Sequence, residues 1–303
     1  MKITKHNKVS WIDFDHPSEN DTIYLQENFP IHPLAIEEFI TPTFRPKATQ
    51  YDNCIFLTIH IPLFDVNERT TYPGELDIIL TKTHLLTGHP KNIFQLERFF
   101  DQLQKSDGKR RLYMGKSPAH LLYQLLYILM ESCFPRLDHI TKNIDAIEEQ
   151  IFRGHERAMV REISIVKRDI LSFRRTLMPQ RSVLDSLIAK NTLFIPADIK
   201  PYFQDLIGTN IRLWNTLESA KETIASLEET NNSLLSDKIN QKMKVVTIFS
   251  AILLPVTLYA NIFSINVDIP WNQLENGFWI HMGNMVFLSL LTILLFRLKR
   301  WTD

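Results

Sequence analysis

Residues 245–265 read VVTIFSAILLPVTLYANIFSI, and residues 278–296 read FWIHMGNMVFLSLLTILLF. Neither stretch contains an Asp, Glu, Lys or Arg, although the second includes one histidine, His281. About twenty apolar residues, rising 1.5 Å per residue in a helix, span the hydrocarbon core of a bilayer and satisfy their own backbone hydrogen bonds. The two stretches therefore predict a transmembrane helical hairpin near the C-terminal end of the 303-residue chain.

The charged residues around the hairpin predict its orientation. Basic residues flank both outer ends of the hairpin, whereas the loop 266–277 contains only the acids Asp268 and Glu275. Because cytoplasmic loops are enriched in Lys and Arg, we expect both termini in the cytoplasm, in a multi-pass protein of a cell (inner) membrane. The N-terminal residues contain no apolar signal region, which agrees with this orientation. The basic residues are Lys238, Lys242, Lys244, Arg297, Lys299 and Arg300.

The composition argues against several other classes of protein. The 34 Lys and Arg residues balance 34 Asp and Glu residues, so no basic surface favours a nucleic-acid partner. Cys54 and Cys133 fit neither a disulfide framework nor a metal site, and we predict two buried thiols. No phosphate-binding, dinucleotide-binding, zinc-protease or nucleophile-elbow motif occurs, so we predict that the protein is not an enzyme. His32 and Glu37 are potential metal ligands, but a single pair at this spacing favours a structural role.

Upstream of the hairpin the chain reads as two segments. Residues 1–112 mix short β-rich and helical stretches, including a strand at 54–64 and two strands within 75–89, and predict a cytoplasmic α/β domain. Residues 106–117 resemble a linker. Residues 113–242 have helical periodicity and predict a helical bundle followed by a stalk helix.

One helix in this second segment is unusually long. From Pro201 to Leu254 there is no internal proline, and apolar residues recur at alternating spacings of four and three. Such a heptad seam requires a partner, which is either the rest of the same chain or the axis of an oligomer. Two asparagines in the seam favour the axis slightly, because a polar seam residue can fix the oligomeric state. The seam consists of Leu206, Asn210, Leu213, Leu217, Ala220, Ile224, Leu227, Asn231 and Leu234.

The first apolar stretch contains polar side chains that need a protein or water partner. Pro255 is expected to kink the helix, and Thr257 and Asn261 follow it. Polar side chains in a membrane span face a protein interior or a watery path, or they hold helices together. Thr257 and Asn266 lie nine residues apart, about two and a half turns of a helix. Met243, Val246 and Leu254 project within the same broad sector as Thr257.

The stretch MKVVTIFSAILLPVTLYANIFSIN, residues 243–266, resembles the pore helix of the CorA-type divalent-cation transporters, whose usual form is close to MKxLTxxxxxxLPxTxxxGxYGMN. The two align without a gap. Further segments match the family in the same order, so the resemblance covers nearly the whole chain. These segments are HPLAIEE (32–38), RPK (45–47), LLYQLL (121–126), DILSFRRTLMPQRSVL (169–184) and YFQDL (202–206).

The resemblance implies a homopentamer in which one long helix per subunit lines a central pore and the N-terminal part forms a cytoplasmic funnel. Asn266 then corresponds to the asparagine ring that meets the hydrated cation, and Thr257 to a polar ring. Ser264 and Ile265 replace the glycine and methionine of the GMN motif. The pore lining, including a hydrophobic gate, corresponds to Met243, Val246 and Leu254. The implied segments are transmembrane helices at 243–266 and 278–297, an outer loop at 267–277 and a basic tail at 298–303.

The resemblance also implies a regulatory cation site between subunits. Asp205 in YFQDL matches one of its carboxylates, and Asp65 and Glu75 are candidates for the partner acid. The implied function is passive, potential-driven transport of a divalent cation, foremost Mg²⁺, closed by the same ion in the cytoplasm. The resemblance does not decide between Mg²⁺ and Co²⁺, Ni²⁺ or Zn²⁺ as the transported ion. One alternative is a Zn²⁺ transporter of the same fold, coupled to protons with His281 as a candidate group. The other alternative is a non-conducting membrane-anchored sensor or scaffold.

Overall fold

The computed structural model describes residues 1–43, 45–189, 194–265 and 276–298. The chain forms two compact units, Met1–Glu229 and Thr230–Asp303. The strands are β1 (Lys2–His6), β2 (Val9–Asp15), β3 (Lys47–Gln50), β4 (Ile55–Asp65), β5 (Thr70–Leu80) and β6 (His84–His89). The helices are α1 (Glu19–Asn28), α2 (Pro33–Ile40), α3 (Phe94–Lys105), α4 (Asp107–Met114), α5 (Pro118–Glu131), α6 (Phe134–Phe152), α7 (Glu156–Leu177), α8 (Gln180–Ala189), α9 (Lys200–Phe263) and α10 (Gly277–Leu298).

The first unit is built on a six-stranded sheet in the order β1-β2-β6-β5-β4-β3. Only β2 and β6 pair in parallel, and the other neighbours are antiparallel. Residues 81–83 join β5 to β6, which lie where the sequence predicts two strands within 75–89. The predicted α/β domain is therefore confirmed.

Strand β2 is buried on both faces, because helices cover both sides of the sheet. The Trp11 ring lies 5.5 Å from that of Phe99 and 4.8 Å from that of Phe100, both in α3. The alternate residues Ile12 and Phe14 join a second cluster that includes side chains of α1 and α2. Successive side chains of a strand point to opposite faces, so one short strand anchors both helical layers.

One local expectation differs from the structure. The stretch 106–117 is mainly helical and not a linker, since Ser106 caps α4 by accepting a hydrogen bond from the Lys109 N–H at 3.4 Å. Within the segment 113–242, α7 ends and α8 begins around Pro179. Pro179 has no N–H to continue the helical hydrogen-bond ladder, and its ring crowds the preceding turn.

Helix α9 is the single long helix that the sequence predicts, 64 residues from Lys200 to Phe263. Its seam residues from Leu206 to Leu227 are all buried within the first unit. Salt bridges of 2.5 Å join this part of α9 to α7, through Lys167 with Glu228 and Arg174 with Glu218. For this part of the seam the partner is thus the same chain, and the slight preference for an oligomer axis is wrong there.

Candidate functional site

The second unit contains the two helical segments that the sequence predicts to cross a membrane. Both α9 and α10 are long and apolar enough to span a bilayer. Large apolar side chains lie exposed along both segments, a surface that is costly in water and favourable in lipid. They include Val245, Phe249, Leu258, Ile262, Phe287, Leu290 and Leu294.

A stripe of mixed polarity runs along the membrane segment of α9. Successive residues of an α-helix are separated by about 100°, so the residues of this stripe fall within a sector of about 80°. All of its members are exposed in the single chain. Sequence reasoning missed Ser250 as a member, although its helical spacing from Thr257 was available. The stripe, called the polar stripe below, consists of Met243, Val246, Ser250, Leu254, Thr257 and Asn261.

The Thr257 hydroxyl in the polar stripe is placed to accept hydrogen bonds, because its own proton is already donated. Thr257 Oγ1 donates its proton to the Leu253 carbonyl oxygen at 2.9 Å, so the lone pairs of Oγ1 remain for a ligand or its water shell. Pro255 lies within the helix and cannot donate to the Ala251 carbonyl. The helix is therefore weakened one turn before Tyr259.

Ser264 and Ile265, which stand in place of the glycine and methionine of the GMN motif, lie at the end of α9. Ser264 Oγ donates to the Asn261 carbonyl oxygen at 2.9 Å, and the Ser264 N–H bonds to the Ala260 carbonyl oxygen at 3.0 Å. Ser264 and Ile265 follow the last helical residue and are exposed. Asn266, the predicted cation-contacting residue, lies outside the described residues.

On another face of the same segment, α10 contacts α9 through a small polar cluster. Tyr259 Oη lies 2.9 Å from His281 Nδ1, and Asn284 Nδ2 donates to Tyr259 Oη at 3.0 Å. The rings of Phe263 and His281 have centroids 4.2 Å apart. Tyr259 and Phe263 point about 160° and 120° away from Thr257 around the helix. His281 is therefore engaged on the side of α9 opposite the polar stripe.

The candidate regulatory residues lie in the first unit. Asp205 is exposed in the second turn of α9. Burial raises the pKa of the Tyr123 hydroxyl, and the negative charge of nearby Asp205 raises it further. Among the described residues, no group of three or more His, Cys, Asp or Glu side chains is arranged to hold a metal ion.

The two candidate partner acids have roles within the chain. Asp65 Oδ1 accepts hydrogen bonds from the Asn67 and Glu68 N–H groups at 2.8 and 3.1 Å, which fixes the turn after β4. Glu75 Oε1 accepts from the Thr43 N–H at 2.6 Å. Each therefore has one carboxylate oxygen committed to local structure.

His32 has a structural role, and both cysteines are buried. His32 caps α2 by accepting from the Leu34 N–H at 3.2 Å, and its ring stacks on Tyr51 at 4.6 Å. Cys54 and Cys133 are free and buried, as predicted. Burial, with a smaller contribution from the charge of Glu131, raises the pKa of the Cys133 thiol to about 12.

Comparison with known proteins gives consistent matches. Residues 6–300 match the family profile described as CorA-like Mg2+ transporter protein. The chain is 28% identical over 295 residues to the cobalt/magnesium transport protein CorA of Thermotoga maritima, covering 96% of this chain and 83% of that protein. It is 19% identical over 299 residues to the zinc transport protein ZntB of Yersinia pseudotuberculosis, covering 96% and 87% respectively.

A solved structure resembles this one along almost its full length. The CorA magnesium transporter from Methanocaldococcus jannaschii matches with a TM-score of 0.84 at 22% identity, over 97% of this chain and 92% of that chain. At this level of identity the likeness establishes the fold: an α/β domain, a long helix and two C-terminal apolar helices.

Proposed function

This chain belongs to the CorA-like Mg2+ transporter family, and we propose that it is a homopentamer that conducts a divalent cation, foremost Mg²⁺, along the polar stripe of α9. The observation that carries this proposal is the stripe itself. Polar side chains exposed to lipid are unfavourable, and enclosing the stripe at a shared axis gives them a watery surrounding. Five copies follow from the family resemblance.

The chemistry of the polar stripe supports a hard, hydrated cation. Thr257 and Asn261 present oxygen atoms, and Asn266 adds a carboxamide at the outer end of the path. Mg²⁺ sheds its water reluctantly and prefers oxygen ligands, so rings of hydroxyl and amide oxygens suit its hydration shell. Leu254, Val246 and Met243 provide apolar rings of the kind that close a pore by excluding water.

The proposed driving force is the membrane potential. Moving one elementary charge through 100 mV is worth about 2.3 kcal/mol, so a divalent ion gains about 4.6 kcal/mol. With both termini in the cytoplasm of a cell whose inner membrane is negative inside, this energy drives uptake. Cytoplasmic Mg²⁺ bound between subunits, with Asp205 as one ligand, would close the pore.

The Zn²⁺ alternative has support from the similarity to a zinc transport protein, but the position of His281 weakens it. Zn²⁺ favours nitrogen and sulfur ligands. The Nδ1 atom of His281 is engaged with Tyr259, on the side of α9 opposite the polar stripe. Among the described residues the stripe therefore offers oxygen donors and a Met243 thioether, but no imidazole.

The test is Mg²⁺ flux into proteoliposomes under an imposed potential. We expect flux in the wild type, its collapse in Asn266→Ala, and a several-fold loss in Thr257→Val, which keeps the shape but removes the oxygen. Thr292→Val is the matched control, because Thr292 Oγ1 makes the same kind of bond, to Leu288 O at 2.8 Å, in the other span. It should retain flux within about twofold of the wild type.

The other outcomes separate the alternatives. Flux of Zn²⁺ without Mg²⁺, dependent on a pH gradient, would establish the zinc transporter. A correctly assembled protein that carries neither ion, and that fails to restore growth of a Mg²⁺-starved strain, would be the sensor or scaffold.

A further inference from the structure

Beyond the residues of the polar stripe, the structure assigns a positioning role to a cluster that joins the two spans. We propose that Tyr259, His281 and Asn284 form a hydrogen-bonded clamp that sets the direction in which the outer end of α9 presents its ion-contacting residues. This inference rests on the proposed transport function for its effect on ions, but the clamp itself is a statement about geometry.

Two hydrogen bonds of the clamp meet at the Tyr259 hydroxyl. Asn284 Nδ2 donates to Tyr259 Oη at 3.0 Å, and Tyr259 Oη and His281 Nδ1 lie 2.9 Å apart, within hydrogen-bonding distance. His281 Nε2 is buried without a hydrogen-bond partner among the described residues. The Tyr259 hydroxyl is thus the central atom, shared by both bonds.

The position of the clamp along α9 gives it mechanical influence. Pro255 lies four residues before Tyr259 and removes one backbone hydrogen bond, so the helix bends or rotates most easily there. The segment beyond Pro255 contains Asn261 and leads into Ser264. A contact on its rear face, at Tyr259 and at the Phe263 ring packed on His281, fixes how that segment is rotated.

The clamp also explains why polar side chains occur on this face of the spans. A tyrosine hydroxyl, an imidazole and a carboxamide facing hydrocarbon would each lack a partner, whereas here the Tyr259 hydroxyl partners both His281 Nδ1 and Asn284 Nδ2. Hydrogen bonds of this kind are directional, so they specify one rotation where apolar packing alone tolerates several.

The first test is transport by the full-length protein in proteoliposomes, measured as a function of Mg²⁺ concentration and in competition with Co²⁺. Tyr259→Phe removes only the shared hydroxyl, and we expect the half-saturating Mg²⁺ concentration to rise about five- to tenfold. His281→Leu should behave similarly. His281→Asn should recover to within about twofold of the wild type, because the Asn side-chain amide offers both a donor and an acceptor and can replace Nδ1 as the partner of the Tyr259 hydroxyl.

A double variant gives a second criterion. Tyr259→Phe combined with Asn284→Leu should be no worse than Tyr259→Phe alone, since both changes delete the same bond. The clamp would be overturned by any of three results. The first is a loss of transport in the double variant equal to the sum of the single losses. The second is an His281→Asn variant as impaired as His281→Leu, and the third is a Tyr259→Phe variant with the half-saturating Mg²⁺ concentration of the wild type.

A readout without transport keeps the clamp testable if the wild type carries no ion. Ser264→Cys places a thiol just beyond α9, and its labelling rate by a membrane-impermeant cationic reagent reports the orientation of this end. We expect Tyr259→Phe to change that rate several-fold in the Ser264→Cys background, with the parent chain, whose Cys54 and Cys133 are buried, as the control. An unchanged rate would refute the clamp, whereas absent flux alone would refute the proposed function.

Discussion

One helix, α9, passes through two surroundings with the same periodicity and opposite chemistry. In the first unit its seam is closed: Leu213 and Leu217 are completely buried against the same chain. In the second unit the polar stripe is open: Leu254 is 69% exposed, and Thr257 and Asn261 are exposed beside it. A repeating pattern thus identifies which face of a helix needs a partner, and only the surrounding structure identifies the partner.

A matched pair of leucines gives the largest expected difference between the two regions. Leu217→Ala should reduce the free energy of unfolding by about 2–5 kcal/mol, because it leaves a cavity in a closed core. Leu254→Ala should change it by less than about 0.5 kcal/mol, because the Leu254 side chain is exposed in the single chain and its truncation leaves no cavity. Denaturation of the detergent-solubilised full chain measures both.

The same pair separates stability from transport. Leu254→Ala is expected to increase Mg²⁺ flux, since it widens a proposed apolar constriction, whereas any loss of flux in Leu217→Ala should follow the loss of folded protein. Equal destabilisation by the two changes would mean that Leu254 is packed like a core residue, and the contrast between seam and stripe would fail.

The next effect is the pH dependence of the stability of the first unit. This unit contains buried carboxyl groups, whereas the two apolar stretches contain no Asp or Glu. Burial, opposed by a hydrogen bond from Thr58 and reinforced by the charge of Glu75, raises the pKa of Asp77 from 3.8 to about 8. The folded state therefore retains a proton that the unfolded chain releases above about pH 4. The stability this confers is complete below that pH and is lost as the pH rises to about 8.

Asp77→Asn tests this directly, because the amide imitates the protonated acid and its oxygen can still accept from Thr58 Oγ1, now 2.6 Å from Asp77 Oδ1. We expect the variant to melt at a higher temperature than the wild type at pH 8, with a smaller difference at pH 5. The exposed Asp52→Asn serves as the control and should follow the wild type. If the melting temperature of Asp77→Asn changed with pH as steeply as that of the wild type, other groups would be responsible for the pH dependence.

Sequence reasoning reached the elements with strong periodicity and missed contacts that depend on three dimensions. The hairpin, the long helix and the α/β domain follow from hydrophobic spacing, which the chain keeps over many turns. Ser250 was missed as a member of the polar stripe, although the same spacing would have placed it there. By contrast, the bonds of Tyr259 with His281 and Asn284 join residues more than twenty positions apart, and no local pattern pairs them.

The smallest effect concerns Asp205, which lies on the bundle end of the helix whose other end carries the polar stripe. If cytoplasmic Mg²⁺ closes the pore through this carboxylate, Asp205→Ala should raise the Mg²⁺ concentration needed for half-inhibition about three- to fivefold and leave uninhibited flux unchanged. The effect is modest because a site between subunits draws further ligands from elsewhere, and one exposed carboxylate contributes only part of the binding.

Asp198→Ala is a suitable control for this change, since Asp198 is an exposed acid just before α9 and should leave inhibition as in the wild type. Inhibition unaltered in Asp205→Ala would remove Asp205 from the sensor. A fall in maximal flux would mean that Asp205 supports folding, because its charge already raises the pKa of the nearby Tyr123 hydroxyl. A selective shift in half-inhibition would instead show that α9 carries a signal from its closed region to its open one, so that the two chemistries of the helix belong to one mechanism.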